Sequence, residues 1–579
     1  MKKIIYIAFA VISAVSCSDF LEKEPKVICS DTFYSSAQEA QYGLNAVYGA
    51  MSGTYFYGRY YGIHLCLTDD LCWCLNSSYT NAETRLEHNA STATIYGVWC
   101  RIYEGIKNAN EFLEAIEDSE FDPGRNMYAQ ARFLRAYYHF LLAEGWGDVP
   151  LRDSAVKSYE GTHLAATPQY DVLKWCASEM TESLPYLTEE LDGAPYKVVR
   201  NTAYGILARL YLFMAGQSVK ISDGASPKDY YKSAMECAYA VIESGRHTLN
   251  PSYSDIFTNY MSNKYDRTYN ESMWEVEFLG DATSADYWSN GMWGNLIGMR
   301  ATGSSNTDYG KWVVNYSAAW YKGSIKLWDL YMVTDRTDEE NNLAYVTDKR
   351  QEWVLAPYTY AGESATATHT RYPYGGDPSD IRQLQSGIDK TPYGASQNST
   401  NQLPLTWPGN RYVTKYRRDV ACEGSKDWQS QYTCNNLPLL RYADVLLMYA
   451  EAYNEYYGAP DEEAYNCVKL VRNRAGVQTP PLSEYSDQAE FRELVRNERA
   501  RELCCETTRR FDLIRWGEYV SAMKDSYSRY NTDPRCAGLE TYSTIAAQLA
   551  STVSEKHQYF PIPNIELGVN PLLKQNPLW

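Results

Sequence analysis

The densest group of ionisable residues lies near the C-terminus, where acids and bases alternate at three- and four-residue spacing. On a helix this spacing brings opposite charges side by side, which is typical of ion pairs that hold neighbouring helices together. We therefore interpret the group as structural and expect no catalytic residue in it. Its members are Glu498, Arg499, Arg501, Glu502, Glu506, Arg509, Arg510, Asp512 and Arg515.

The rest of the sequence contains no motif with catalytic or phosphate-binding spacing, and its seven His are scattered singly. We expect a protein that is not an enzyme and needs no cofactor. A glycosidase needs only two suitably separated carboxylates, so the 72 acidic residues leave that alternative open. No metal site is predicted, because Asp69 and Asp70 together fall far short of the ligand set of a structural calcium ion.

Aromatic residues are the other conspicuous group, with 53 Tyr and 15 Trp. Such an excess suits a protein that shows aromatic faces to water or to a polar ligand. Nine of the 15 Trp lie between residues 245 and 436, where regular periodicity is sparse. Loops on a rigid scaffold often carry binding surfaces. The alternative for any one of these Trp is that it fills a small core of its own segment.

A second candidate loop lies between Gly53 and Ser91, where helical periodicity lapses. The remaining scaffold is helical, and its strongest signal is a predicted helix from Leu437 to Glu455 with apolar residues three and four positions apart. Further helices are predicted over Ala37–Met51, Ala93–Glu117, Asn126–Trp146, Gln169–Leu187, Thr202–Gly216, Lys228–Ser244, Ile325–Val333, Glu462–Ala475, Gln488–Cys505 and Arg509–Met523.

Helical patterns alternate with turn signals at roughly 30 to 40 residue intervals, which favours a helical array. A faint internal repeat, Leu134-x-x-x-Tyr138-x-Phe140 and Leu207-x-x-x-Tyr211-x-Phe213, is consistent with stacked helix pairs of the tetratricopeptide kind. The predicted fold class is mainly α, a tetratricopeptide-like α-superhelix with a loop-rich, Trp/Tyr-rich insertion. Its parts are an N-terminal helical part over 17–244, the insertion over 245–436 and a C-terminal helical part over 437–579.

The N-terminus predicts export. A basic start, an apolar stretch from Ile4 to Val15 and the small residues Ala14-Val15-Ser16 indicate a signal peptide over residues 1–16. Cys17 follows directly, and small residues before a Cys are typical of bacterial lipoproteins, so we predict lipidation of Cys17. The alternative is an ordinary secretory peptide. The net charge of −18 argues against nucleic acid as a partner and against adsorption to an anionic membrane surface.

The 14 Cys do not form a metal-binding pattern, since Cys72-x-Cys74 and the adjacent Cys504-Cys505 lack the usual spacing. Cys504 and Cys505 fall inside an apolar helical pattern and are interpreted as small core residues. Lipidation of Cys17 would leave an odd number, 13 of the 14. Disulfides among the others cannot be assigned from spacing.

Four sets of residues together resemble the SusD/RagB family, surface lipoproteins that partner TonB-dependent outer-membrane transporters. They span the chain from residue 17 to its end in the expected order, although Cys505 and Thr507 replace a commoner aromatic and Gly. The sets are Cys17-Ser-Asp-Phe-Leu-Glu-Lys-Glu-Pro25, Arg132-Phe-Leu-Arg-Ala-Tyr-Tyr-His-Phe-x-Leu-x-x-x-Trp-Gly-Asp-Val-Pro-Leu151, Leu440-Arg-Tyr-Ala-Asp-Val-Leu-Leu-Met-Tyr-Ala-Glu-Ala452 with Glu498-Arg-Ala-Arg-Glu-Leu503 and Arg510-Phe-Asp-Leu-Ile-Arg-Trp516, and Tyr559-Phe-Pro-Ile-Pro563 with Glu566, Asn570 and Gln575-Asn-Pro577.

The resemblance implies a tetratricopeptide-like superhelix held at the cell surface by a lipid anchor in the outer membrane. It also implies capture of an oligosaccharide ligand, without bond cleavage, for a SusC-like TonB-dependent transporter. Some relatives capture peptide, which remains an alternative, as does the less favoured glycoside hydrolase. The Trp-rich insertion favours carbohydrate, because the apolar face of a sugar ring stacks on Trp or Tyr.

In the resembling family, ligand contacts come from a loop after the first helix and from the insertion. These correspond here to Leu71–Asn81 and Ser284–Tyr321. The residues predicted to stack on the ligand are Trp73, Tyr79, Trp288, Trp293, Trp312 and Trp320. The predicted polar partners are Asn81, Asn290 and Arg300.

Overall fold

A computed structural model describes most of the chain. The described residues are 34–74, 81–189, 195–278, 290–298, 317–332, 334–338, 343–346, 348–355, 358–361, 370–373, 411–417, 433, 435–485, 487–536 and 540–579. The predictions for Cys17, Tyr79, Trp288, Arg300 and Trp312 fall outside these ranges. In the described part no helix is both long and apolar enough to cross a membrane.

The N-terminal part is a stack of helices that follow one another in sequence order. Ala93–Ile116 packs on Asn126–Trp146, Asn126–Trp146 packs on Gln169–Ser183, and Arg200–Met214 packs on Pro227–Glu243. Several begin at side-chain caps, such as Ser36, which accepts a hydrogen bond from the Glu39 backbone N–H at 3.3 Å. The helices are α1 Ala37–Gly49, α2 Ala93–Ile116, α3 Asn126–Trp146, α4 Gln169–Ser183, α5 Arg200–Met214 and α6 Pro227–Glu243. The prediction of a mainly α fold with stacked helix pairs is confirmed.

Short elements occupy the middle of the chain. They are α7 Tyr253–Met261, α8 Trp293–Leu296, α9 Ile325–Tyr331 and α10 Lys349–Val354, with strands β1 Cys72–Cys74, β2 Ser272–Val276, β3 Tyr321–Gly323, β4 Thr334–Asp338, β5 Leu343–Val346, β6 Tyr358–Ala361 and β7 Thr370–Pro373. Three of the sheets in the described part have two antiparallel strands each: β1 pairs with β3, β4 with β5, and β6 with β7.

The predicted helix Leu437–Glu455 is wrong in its first turn. Strand β8, Leu437–Arg441, pairs antiparallel with β2, placing Val276 opposite Leu437, and helix α11 then runs over Tyr442–Tyr457. A short apolar run that is buried on all sides shows the same hydrophobic pattern in a strand as in a helix, which explains the error. From Tyr442 to Ala452 every residue of α11 is buried, as expected for a helix nearly encircled by protein.

The C-terminal helices are α12 Glu462–Arg474, α13 Gln488–Glu502, α14 Arg509–Arg515, α15 Tyr519–Thr532, α16 Glu540–Thr552 and α17 Asn564–Val569. The single helix predicted over Arg509–Met523 is two, because Gly517 between them has φ +72°. Cys504 and Cys505 lie beyond the end of α13, and Cys505 has φ +61°. Both are buried as predicted, but in a turn rather than a helix.

The charged group near the C-terminus is a buried ion-pair network. Arg441 of β8 donates to Glu271, Glu502 and Glu506 at 2.6 to 2.9 Å. Arg350 of α10 donates to Asp348 and Glu498. The structural interpretation is confirmed. Most of the pairs join distant elements inside the protein, whereas Arg501–Glu498 and Arg515–Asp512 join residues three positions apart on one helix.

Candidate functional site

The described parts of the two stretches expected to carry ligand contacts lie together. Strand β1 comes from the first stretch and β3 begins at the end of the second, and their pairing sets Cys74 opposite Tyr321. The contact continues beside them, where the Met292 backbone N–H donates to the Gly58 carbonyl at 2.9 Å. A Cβ at position 58 would lie 2.7 Å from the Asn290 carbonyl oxygen, so only glycine allows this approach.

A ladder of aromatic rings lies at this junction. Tyr55, which is 39% exposed, stacks on Tyr60 with ring centroids 5.1 Å apart. The Arg59 guanidinium lies over the Tyr60 ring at 4.7 Å and over the Trp320 ring at 5.3 Å. Arg59 and Tyr60 are partly exposed, whereas Trp320 is buried except for 7% of its surface. We call Tyr55, Arg59, Tyr60 and Trp320 the aromatic platform.

A π-helical turn over Tyr60–Leu65 holds His64 behind the platform. Arg59 Nε donates to His64 Nε2 at 3.2 Å, and Nδ1 faces the Asn81 amide at 3.3 Å and Glu83 Oε1 at 3.8 Å. Burial, with the Arg59 charge beside it, holds the pKa of His64 well below its usual range. The ring is therefore neutral, and its Nε2 accepts the hydrogen bond from Arg59.

Burial raises the pKa of Glu83 above its ordinary value, an effect partly opposed by the hydrogen bond from Thr94. The site thus combines two partly exposed aromatic rings, one guanidinium, one amide and a neutral imidazole held in place behind them. These groups suit recognition of a polar ligand with an apolar face.

The fold brings two of the predicted site residues, Asn81 and Trp320, close together, but Trp320 is only 7% exposed and lies under Arg59, so the structure contradicts its predicted role in stacking on the ligand. Asn81 is partly exposed and contacts His64, whose ring centroid lies 6.2 Å from that of Trp320. Asn290 lies close by through its backbone carbonyl, but it is only 1% exposed. A role for the Asn290 side chain as a polar partner at the surface does not fit this burial.

The structure contradicts Trp73 and Trp293 as stacking residues, because neither side chain has exposed surface. Trp73 packs against Tyr530 with ring centroids 4.9 Å apart. Trp293 packs against Tyr416 and donates its indole N–H to the Tyr57 carbonyl at 2.7 Å. Both hold the loop and the insertion on the scaffold.

Other Trp of the insertion share this fate, since Trp274, Trp328 and Trp353 are at most 7% exposed. Trp328 and Trp353 pack against Arg411 and Arg417 of the insertion itself, in agreement with the core alternative. Trp274 instead packs against Phe133 and Tyr137 of α3. A Trp buries more apolar surface than any other side chain, so concentration in a segment with little regular structure also serves packing.

Sequence reasoning missed Tyr55, Arg59, Tyr60 and His64 as site residues. They fall inside the candidate loop from Gly53 to Ser91, in a run of alternating aromatic and Gly residues. That run, Tyr55-Phe-Tyr-Gly-Arg-Tyr-Tyr-Gly62, was the available signal.

The family model described as the SusD family matches residues 256–579, and one described as starch-binding associating with outer membrane matches residues 19–212. SusD-like protein P25 of Formosa agariphila is 23% identical over 595 residues, covering 100% of this chain and 98% of that protein. SusD-like protein P2 of the same organism is 25% identical over 527 residues, covering 87% and 88%.

Solved structures share the fold. A SusD homologue from Bacteroides thetaiotaomicron superposes with a TM-score of 0.77 at 24% identity, covering 95% of this chain and 98% of that one. Surface glycan-binding protein A from the same species, in complex with laminarihexaose, gives a TM-score of 0.63 at 18% identity, with 94% and 100% covered.

Proposed function

Because this chain belongs to the SusD family, we propose that it binds oligosaccharide at the cell surface and delivers it to a partner TonB-dependent transporter of the outer membrane. The observation that carries the binding part is the aromatic platform, in which partly exposed Tyr55 and Tyr60 lie beside Arg59 and Asn81. Aromatic faces stack on the C–H face of a sugar, and the polar groups replace the water on its hydroxyls.

Surface attachment and the transporter rest on other support. The chain carries the lipoprotein-like sequence that ends in Cys17. The description of the model matched by residues 19–212 names association with the outer membrane. We propose that Cys17 is the lipid anchor and that the transporter is the protein partner.

Binding without cleavage is the expected mode of action. Nε2 of the neutral His64 already accepts a hydrogen bond from Arg59, so this nitrogen is not poised as a base. A glycan bound at the platform would therefore be released without cleavage.

A glycan array followed by calorimetry tests the proposal. Wild-type protein should retain a glycan, and Tyr55→Ala should weaken it about tenfold, the effect of removing one exposed stacking ring. Tyr186→Ala is the matched control, because Tyr186 is 49% exposed and belongs to a helical turn after α4.

Two results would contradict the proposal. One is retention of peptides with no glycan bound, which would favour the peptide-binding alternative. The other is shortened oligosaccharide after incubation with the protein, which would identify a hydrolase.

A further inference from the structure

Arg59 is the charged member of the aromatic platform. Its Nε donates to the neutral His64 ring at 3.2 Å, and in the part of the chain that the structure describes no carboxylate forms an ion pair with its guanidinium. Glu83 is reached only through His64, whose Nδ1 lies 3.8 Å from Glu83 Oε1.

This setting is unusual for a chain with 72 acidic and 54 basic residues. Arg101, on the first turns of the neighbouring helix α2, pairs with Glu104 at 2.6 Å. Arg509 pairs with Asp70 at 3.0 Å beneath β1. Carboxylates are therefore common near this site, yet the one arginine on the aromatic platform is left without one among the described residues.

Stacking also fixes how Arg59 can bind. Its guanidinium carbon lies over the Tyr60 and Trp320 rings, and among the described residues no acceptor hydrogen-bonds to its two terminal nitrogens, whose N–H donors lie in the guanidinium plane. A planar fork of this kind matches the two oxygens of a carboxylate or a sulfate and binds them in a bidentate manner.

We propose that Arg59 binds the anionic group of an acidic glycan, a carboxylate or a sulfate ester, while a sugar ring of that glycan lies on Tyr55 and Tyr60. The inference rests on the proposed function and names the ligand class of the same site. The partly exposed Asn81 lies on the same side of His64 as Glu83 and supplies a further hydrogen-bonding group for the sugar.

The local electrostatics agree with an unneutralised cation. Burial lowers the pKa of His64, and the nearby charge of Arg59 lowers it further. The same charge opposes the rise that burial causes in the pKa of Glu83. An anion bound to Arg59 would form the ion pair that no described carboxylate forms with this side chain.

The test uses an array with acidic glycans, both uronic acid and sulfated, beside neutral glycans of matching length. The tightest binder should be acidic, and its carboxyl-reduced or desulfated derivative should bind at least about tenfold more weakly, the effect of losing one charged hydrogen-bonded contact. Whether the reduced or the desulfated derivative loses affinity identifies the anion. Raising the salt concentration should weaken the acidic ligand more than the neutral derivative.

Variants of Arg59 separate this inference from the proposed function. Arg59→Gln should bind the acidic and neutral derivatives with equal affinity, while Arg59→Lys should keep part of the preference and tests the charge if the Gln variant unfolds. Arg246→Gln is the matched control, since Arg246 is 42% exposed and pairs with Glu189 outside the platform.

A neutral glycan as the tightest binder, or an acidic preference that survives in Arg59→Gln, overturns the inference and leaves the proposed function standing. An array on which no glycan is retained overturns both.

Discussion

Arg441 and Arg59 are the same side chain in opposite surroundings. Arg441 is 1% exposed and donates to three carboxylates, those of Glu271, Glu502 and Glu506. Arg59 is partly exposed and contacts two aromatic rings and a neutral imidazole. The first set of partners cancels the charge, whereas the second holds the side chain in place and leaves the charge uncancelled.

The difference shows how this chain separates structure from recognition. A buried charge must be paired, because removing it from water costs several kcal/mol. A partly exposed charge keeps part of its hydration and can wait for a ligand. Position relative to solvent, rather than residue type, therefore decides which arginines hold the scaffold and which can bind.

Removing the buried arginine should give the largest effect. Arg441→Gln leaves Glu271, Glu502 and Glu506 short of a cation, and we expect the free energy of unfolding to fall by roughly 3 to 5 kcal/mol. Urea denaturation followed by circular dichroism measures it. Arg59→Gln serves as the comparison and should change stability much less. Equal losses in the two variants would abolish the distinction drawn between them.

The inverse case is a buried carboxylate without sufficient compensation. Burial raises the pKa of Glu144 from its ordinary 4.5 to about 8, with Arg209 opposing the rise. A raised pKa means that the folded protein holds the proton more tightly than the unfolded chain. The stability gained from this is complete below about pH 4.5 and is lost as the pH rises through 8.

Glu144→Gln should therefore gain stability relative to wild type as the pH increases from 5 to 8. Denaturation midpoints at several pH values measure this, with the exposed Glu111→Gln as control. A constant difference between wild type and Glu144→Gln over that range would show that Glu144 is adequately paired.

The smallest effect is expected from an exposed ion pair. Lys107 and Glu111 on α2 lie 3.0 Å apart, with side chains 65% and 51% exposed. Lys107→Gln should cost less than about 1 kcal/mol, because solvent screens such pairs. A loss comparable to that of Arg441→Gln would mean that burial does not set the value of these charges.

Much of the scaffold was predictable because helical periodicity is local. Asn126–Trp146 was predicted with the bounds observed for α3, and α12 differs from its prediction by one residue. The strand β8 was not predictable in the same way. Its pairing with β2, more than 150 positions earlier, depends on contacts that no local pattern encodes.

The sequence indicates which segments meet better than which residues form the candidate site. The described parts of Leu71–Asn81 and Ser284–Tyr321 meet at the β1–β3 pair, yet Trp73 and Trp293 turn inward while Tyr55 and Tyr60 form the partly exposed platform. Spacing indicates that an aromatic residue belongs to a loop. It does not indicate which ring faces solvent, since that depends on packing partners such as Tyr530 and Tyr416.

The pairing of Val276 with Leu437 has a consequence for how such proteins diversify. It fixes the two ends of the intervening segment as neighbours on the scaffold, whatever the length of that segment. The entropic cost of closing a loop grows only slowly with its length. Changes in the length of the segment should therefore cost little entropy, but only changes that spare the contacts of Arg350 with Glu498 and of β3 with β1 would leave the helices undisturbed.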